Sequence, residues 1–140
     1  MGRTPSIGPE GGRGPLTALV DTSVLIDFLR GDARTGAVLE RERAAGPLHA
    51  SEITRLEVLA GMRPSEEEPT RGLLATLVWH DVDEEVAEDA GALGRAWLPS
   101  HRHIDGADLA IAATARLLGA ALLTRNLKHY PMFPGLRPPH

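Results

Sequence analysis

The chain has 140 residues, 42% of them hydrophobic and 24% charged, with a formal net charge of −4 and no cysteine. That length supports one domain with a modest core. The missing cysteines exclude a disulfide scaffold, a thiolate zinc site and cysteine catalysis. No apolar run approaches the roughly 18 residues needed to cross a bilayer, and the N-terminus lacks the apolar core of a signal peptide. A cytoplasmic protein with no membrane partner is the expectation. A net acidic chain does not hold nucleic acid by bulk charge, so any polynucleotide contact falls to a local patch or a metal site. Lys128 is the only lysine among 15 basic residues, an arginine bias that reads as a GC-rich genome.

Residues 1–15 hold five glycines and three prolines, with Ile7 the only large apolar residue beyond Met1. Such a segment cannot offset its ordering entropy, so a disordered leader is expected there, with the domain over 16–140. Leu16–Val20 is an apolar run suited to a buried strand. Asp21-Thr22-Ser23 supplies N-cap residue types for a helix over Val24–Leu29. Arg34–Ala45 reads as a charged helix closed by Gly46-Pro47, and Pro47–Ala50 as a brief strand. Ser51 caps a helix running to Ala60, stopped by Gly61. Pro64–Pro69 reads as an acidic loop, Arg71–Leu77 as a helix and Leu77–His80 as a strand. Asp83–Leu98 places Val86, Ala90, Leu93 and Trp97 on one helical face. After a loop at Pro99–His103, Asp105–Leu118 is a second strong helix, ended by Gly119. Ala121–Thr124 is an apolar strand, and the tail from Asn126 is rich in proline and aromatic residues.

Strands alternating with helices imply parallel pairing. The expected fold is therefore a three-layer α/β sandwich, with its binding crevice at the carboxyl ends of the strands.

Three carboxylates occupy positions where apolar residues are expected. Asp21 directly follows the first strand. Glu57 shares the i, i+4, i+7 face of its helix with Ile53 and Ala60. Asp108 shares a face with Ile111, Ala112 and Ala115. Burying several ionised carboxylates is costly without a partner, and no arginine sits at an inward position. A hard cation such as Mg²⁺ or Mn²⁺ satisfies clustered oxygen ligands while keeping waters. Each acid also has a purely structural reading: Asp21 as a helix cap, Asp108 as a complement to the helix dipole. Glu57 is hardest to explain that way. Ser23, Asp105 and Asn126 are secondary candidates around the acids, and Ser23 and Asn126 equally suit a cap and a turn. Arg102, Arg125 and Lys128 would flank the crevice and could contact phosphates. The six histidines show no metal spacing and read as surface residues. There is no glycine-rich phosphate loop and no Gly-x-Ser-x-Gly elbow.

Leu19-Val-Asp-Thr-Ser-Val-Leu-Ile-Asp27 resembles the opening motif of PIN-domain ribonucleases. Ser51–Gly61, centred on Glu57, resembles their second motif, and Asp105–Ala115, centred on Asp108, their third. Leu122-Leu-Thr-Arg-Asn126, followed by His129-Tyr130, resembles the closing motif. The four occur in order from Leu19 to Leu136, nearly the whole domain, and the small single-domain form most resembles VapC toxins of toxin–antitoxin pairs.

The resemblance implies a PIN-like α/β/α fold with a central parallel sheet of about four to five strands. It implies a Mg²⁺- or Mn²⁺-dependent endoribonuclease. The family's acids map to Asp21, Glu57 and Asp108: Asp21 and Asp108 hold the metal, and Glu57 ligates through water or orients the attacking water. A fourth acid of many members is Asn126 here, which puts a second metal in doubt. RNA as substrate, a VapB-type antitoxin, a homodimer and a toxin–antitoxin hetero-oligomer are further implications. Hydrolysis is expected to leave a 5′-phosphate and a 3′-hydroxyl. Competing readings are a PIN nuclease of RNA maturation and a degenerate PIN domain that only binds a partner. A haloacid-dehalogenase-type phosphatase needs a second Asp where Ser23 stands, and a receiver domain fits no better.

Overall fold

The computed structural model describes residues 17–140, so the leader expected over 1–15 lies outside the described residues. The first strand, β1 (Ala18–Val20), is buried at all three positions, as an apolar run covered on both faces must be. The chain continues through α1 (Thr22–Leu29), α2 (Ala33–Ala45), β2 (Leu48–Ser51) and α3 (Glu52–Ala60). A 3₁₀ turn at Pro64–Glu66 leads into α4 (Glu67–Leu74), then β3 (Val78–His80), α5 (Glu84–Trp97), α6 (Gly106–Leu118) and β4 (Ala121–Leu123). A second 3₁₀ turn covers Leu127–His129.

The four strands form one sheet in the order β3-β2-β1-β4, with every pairing parallel. This is the expected parallel three-layer sandwich, at the lower end of the expected strand number among the described residues. The alternation of side chains along β1 assigns the two faces. Leu19 joins Leu93, Leu109, Ile111 and Leu122 in a core under α5 and α6. Ala18 and Val20 join Val24, Leu25, Leu39, Leu48 and Val58 in a core under α1, α2 and α3.

The helix starts follow their caps. Asp32, Ser51 and Asp83 each accept a hydrogen bond from a backbone N–H in the first turn of α2, α3 and α5. Gly119 closes α6 in the left-handed region at φ 64°, where a residue without Cβ carries no strain. One expectation fails. The segment read as a loop to Pro69 turns helical at Glu67, and α4 ends at Leu74 rather than Leu77. Pro69 falls in the first turn, where its missing N–H has no helical acceptor to lose. Glu67 and Glu68 there complement the helix dipole.

Successive strands run from β1 outward to β2 and β3, and β4 returns to the other side of β1. That reversal opens a crevice at the carboxyl end of β1, and Asp21 stands there.

Candidate active site

Asp21 is the N-cap of α1 and is 3% exposed. It is both cap and buried carboxyl, so its two sequence readings coexist. Its Oδ1 accepts from the Thr22 backbone N–H at 2.8 Å and from the Tyr130 hydroxyl at 3.2 Å. Its Oδ2 accepts from the Thr124 hydroxyl at 2.6 Å and the Ser23 hydroxyl at 3.2 Å. Thr124 follows β4 and Asp21 follows β1, so the parallel pairing of these strands sets this contact.

Asp108 approaches from α6. Asp105 caps this helix in a reciprocal box: its Oδ1 accepts from the Asp108 N–H at 2.9 Å, and its own N–H donates to Asp108 Oδ2 at 3.1 Å. The other oxygen, Asp108 Oδ1, lies 3.4 Å from the Tyr130 hydroxyl. One buried phenol thus stands between both carboxyl groups. Burial pushes the Asp108 carboxyl up to about 6, although the Asp105 N–H works against the rise. Burial, with Asp21 and Asp108 beside it, drives the Tyr130 phenol far above its ordinary range, so it remains a donor.

Glu57 makes no direct hydrogen bond to Asp21, Asp108 or Tyr130. Its Oε1 accepts from the Thr22 hydroxyl at 2.6 Å, and Thr22 is also 3.1 Å from the Thr54 hydroxyl. The inward face of α3 is carried by Thr54 and Val58, while Ala60 is exposed and Glu57 half-buried at the margin. At 100° per residue, Glu57 sits to one side of the Thr54–Val58 line. The expectation of a shared core face is corrected accordingly. Glu57 also lines a cavity of about 340 Å³ with Ile26, Arg30, Met62 and Arg63.

The secondary candidates divide. Ser23 and Asp105 touch the acids directly. Asn126 is exposed, and its backbone N–H donates to Thr124 Oγ1 at 2.9 Å. Arg125 pairs with Asp27 at 2.5 Å, and Arg102 and Lys128 are exposed.

Two residues that the sequence placed only in the closing motif, with no role of their own, contact the acids. Tyr130 is 1% exposed. His129, read as a surface residue, is half-buried with Nδ1 3.0 Å from Asp108 Oδ2. That nitrogen is buried yet lies off the angle of a hydrogen bond. His49 and His80 also leave the surface class, stacking half-buried across β2 and β3 with Nδ1 and Nε2 2.7 Å apart. The turn at Leu127–His129 leads the chain into the core under α5 and α6, where Tyr130 is buried. An aromatic at 130, six residues past an apolar strand, was the available signal.

Among the described residues, no three His, Asp or Glu side chains converge closely enough to cage a cation by themselves. Two buried carboxyl groups facing one hydroxyl, with no Lys or Arg among their contacts, still fit a hard cation that keeps most of its waters.

A parallel sheet between helix layers, with paired acids at its strand-end crevice, defines an α/β protein with an acidic candidate site. The PIN domain model matches residues 18–131, and the chain belongs to the PIN domain family. It is 42% identical over 123 residues to ribonuclease VapC19 of Mycobacterium tuberculosis, covering 87% of this chain and 98% of that protein. Ribonuclease VapC10 of the same organism is 39% identical, with 86% and 91% covered. A toxin–antitoxin complex from Klebsiella pneumoniae contains a chain of the same fold, with a TM-score of 0.74, 32% identity and 89% and 98% covered. VapBC2 from Rickettsia felis, bound to a DNA fragment from its promoter, shares the fold at a TM-score of 0.72 and 22% identity.

Proposed function

We propose that this protein is a Mg²⁺- or Mn²⁺-dependent endoribonuclease and the toxin of a toxin–antitoxin pair. One observation carries the reading: two buried acids, Asp21 and Asp108, converge at the strand-end crevice of a chain 42% identical to a named VapC ribonuclease. Asp21 and Asp108 would hold the cation. Bound there, it would neutralise charge on the scissile phosphate and make a coordinated water more acidic. The protein's own groups then have distinct tasks. Thr124, Ser23 and the Thr22 N–H fix the Asp21 carboxylate. The Asp105 N–H fixes Asp108. Thr22 fixes Glu57, which would ligate through water or orient the attacking water. Water oxygen bonds to phosphorus as the bond from phosphorus to the 3′ oxygen breaks, and the proton the water gives up is balanced by the one that the 3′ oxygen takes on, leaving a 5′-phosphate and a 3′-hydroxyl.

The named relatives and the toxin–antitoxin assemblies support a VapB-type antitoxin as partner. A homodimer, a toxin–antitoxin hetero-oligomer and action in the cytoplasm complete the proposal. No helix among the described residues is long and apolar enough to cross a membrane.

The test is incubation of antitoxin-free protein with total RNA in Mg²⁺, Mn²⁺ or EDTA, beside Asp21→Asn. Discrete fragments that need metal and vanish in the variant are expected. The variant should melt as a folded protein, because Asn keeps the volume and the neighbouring hydroxyls can rotate to suit it. Metal-independent cleavage, or full activity in folded Asp21→Asn, would overturn the reading. Folded wild type that binds RNA or antitoxin but never cuts would favour a binding-only PIN domain.

A further inference from the structure

The loop between α5 and α6 and the turn at Leu127–His129 bring three imidazoles into a row that starts at the acids. His129 lies against Asp108. The His103 ring follows, its centroid 5.4 Å from that of His129. His101 comes next at 5.9 Å, and Trp97 ends the row edge-on to His101 at 5.5 Å. His103 Nε2 is 2.8 Å from the Lys128 carbonyl oxygen. A carbonyl only accepts, so Nε2 carries the hydrogen, and in the neutral ring Nδ1 is left as an acceptor. This bond ties the loop to the turn and holds the ring in place. His103 itself is exposed, as are its neighbours Arg102 and Lys128.

We propose that this row is the track along which single-stranded RNA runs beside the scissile phosphate, with a base stacking on the His103 imidazole. The proposal rests on the nuclease reading and adds to it a base-contacting subsite. Single strands are held by planar rings that accept base faces and by cations that track phosphates. The row offers both within a few residues of Asp108, on a molecule whose net charge of −4 gives RNA no general attraction. Core packing does not account for an exposed His103, since the ring buries little surface where it stands. Its anchoring to Lys128 removes rotamer freedom before a ligand arrives, which lowers the entropic cost of stacking.

The test compares wild type, His103→Ala and His103→Phe on a fluorescein-labelled single-stranded RNA of mixed sequence. A second substrate of equal length carries abasic riboses beside the cut. His103→Ala is expected to raise KM on the first RNA about fivefold or more, the range of one lost stacking contact. The loss should fall on KM rather than kcat. His103→Phe, which keeps a planar face, should restore most of the affinity. On the abasic RNA, wild type and His103→Ala should behave alike. Equal KM values on the base-bearing RNA would overturn the track while leaving the nuclease intact, as would an equal loss on both substrates, which marks a phosphate contact. Wild type that neither binds nor cleaves either RNA would overturn the nuclease reading, and the track with it.

Discussion

Tyr130 brings its hydroxyl within 3.2 Å of Asp21 and 3.4 Å of Asp108 while almost wholly buried. In the metal-free protein this donor offsets part of the desolvation of two facing carboxyl groups. Tyr130→Phe should therefore lower metal-free stability by about 1–3 kcal/mol, measured by urea denaturation in EDTA. An unchanged midpoint would show that the hydroxyl contributes nothing. Asp108 gives a pH signature. Its carboxyl has an ordinary value of 3.8 and is raised to about 6 in the folded chain. A raised acid binds its proton more tightly when folded. Its stabilising contribution is complete below about pH 4 and is lost as pH rises through about 6. In EDTA, wild type should lose roughly 1–2 kcal/mol more than Asp108→Asn between about pH 4.5 and pH 7.5, after allowance for partial solvent screening. Parallel pH–stability curves for the two proteins would contradict this. Asp21 and Asp108 were legible in the sequence because each stands where an apolar residue is expected, next to a strand or on an inward helical face. Tyr130 and His129 were not, because a tail rich in proline carries no periodicity that says which way its side chains turn.

At the scale of elements, α5 and α6 pack most closely, and Gly94 marks the approach. A Cβ at that position would meet Leu109 at 3.2 Å and Leu98 at 3.4 Å. Those leucine ends can yield a little to a methyl group but have no room for a branched side chain. Gly94→Leu should lower stability by about 1–3 kcal/mol despite its better helix propensity. A melting temperature at or above that of the wild type would show that the two helices are free to move apart. Elements with a strong apolar period, α5 and α6, were plain in the sequence. The start of α4 was not: Pro69 looks like a loop residue until its place in the first helical turn is known.

At the scale of the whole molecule, the tail beyond Tyr130 closes the structure. Met132, Phe133 and Leu136 pack against the core under α5 and α6, and His140 Nε2 lies 3.1 Å from the Thr35 hydroxyl on α2. The tail thus links the layers on the two sides of the sheet. It also holds in place the turn that carries His129 and Tyr130. Removing residues 131–140 should cost about 2–4 kcal/mol, from three partly buried apolar side chains. A truncated protein with unchanged stability would show that the tail only rests on the surface.

The sequence by itself determined the parallel α/β sandwich, the order of its helices and strands, and the two carboxylates at its crevice. These follow from local periodicity, caps and the appearance of charge where apolar residues belong. Only the tertiary structure decided that Glu57 meets the Thr22 hydroxyl, next to Asp21. It alone set Tyr130 between Asp21 and Asp108 and lined three histidines up behind Asp108. The Tyr130–Asp108, Glu57–Thr22 and Tyr130–Asp21 contacts join residues 22 to 109 positions apart, and their partners are chosen by sheet order and by the path of the tail. No local pattern in the chain encodes that choice, because it is the packing of distant elements that fixes which side chains meet.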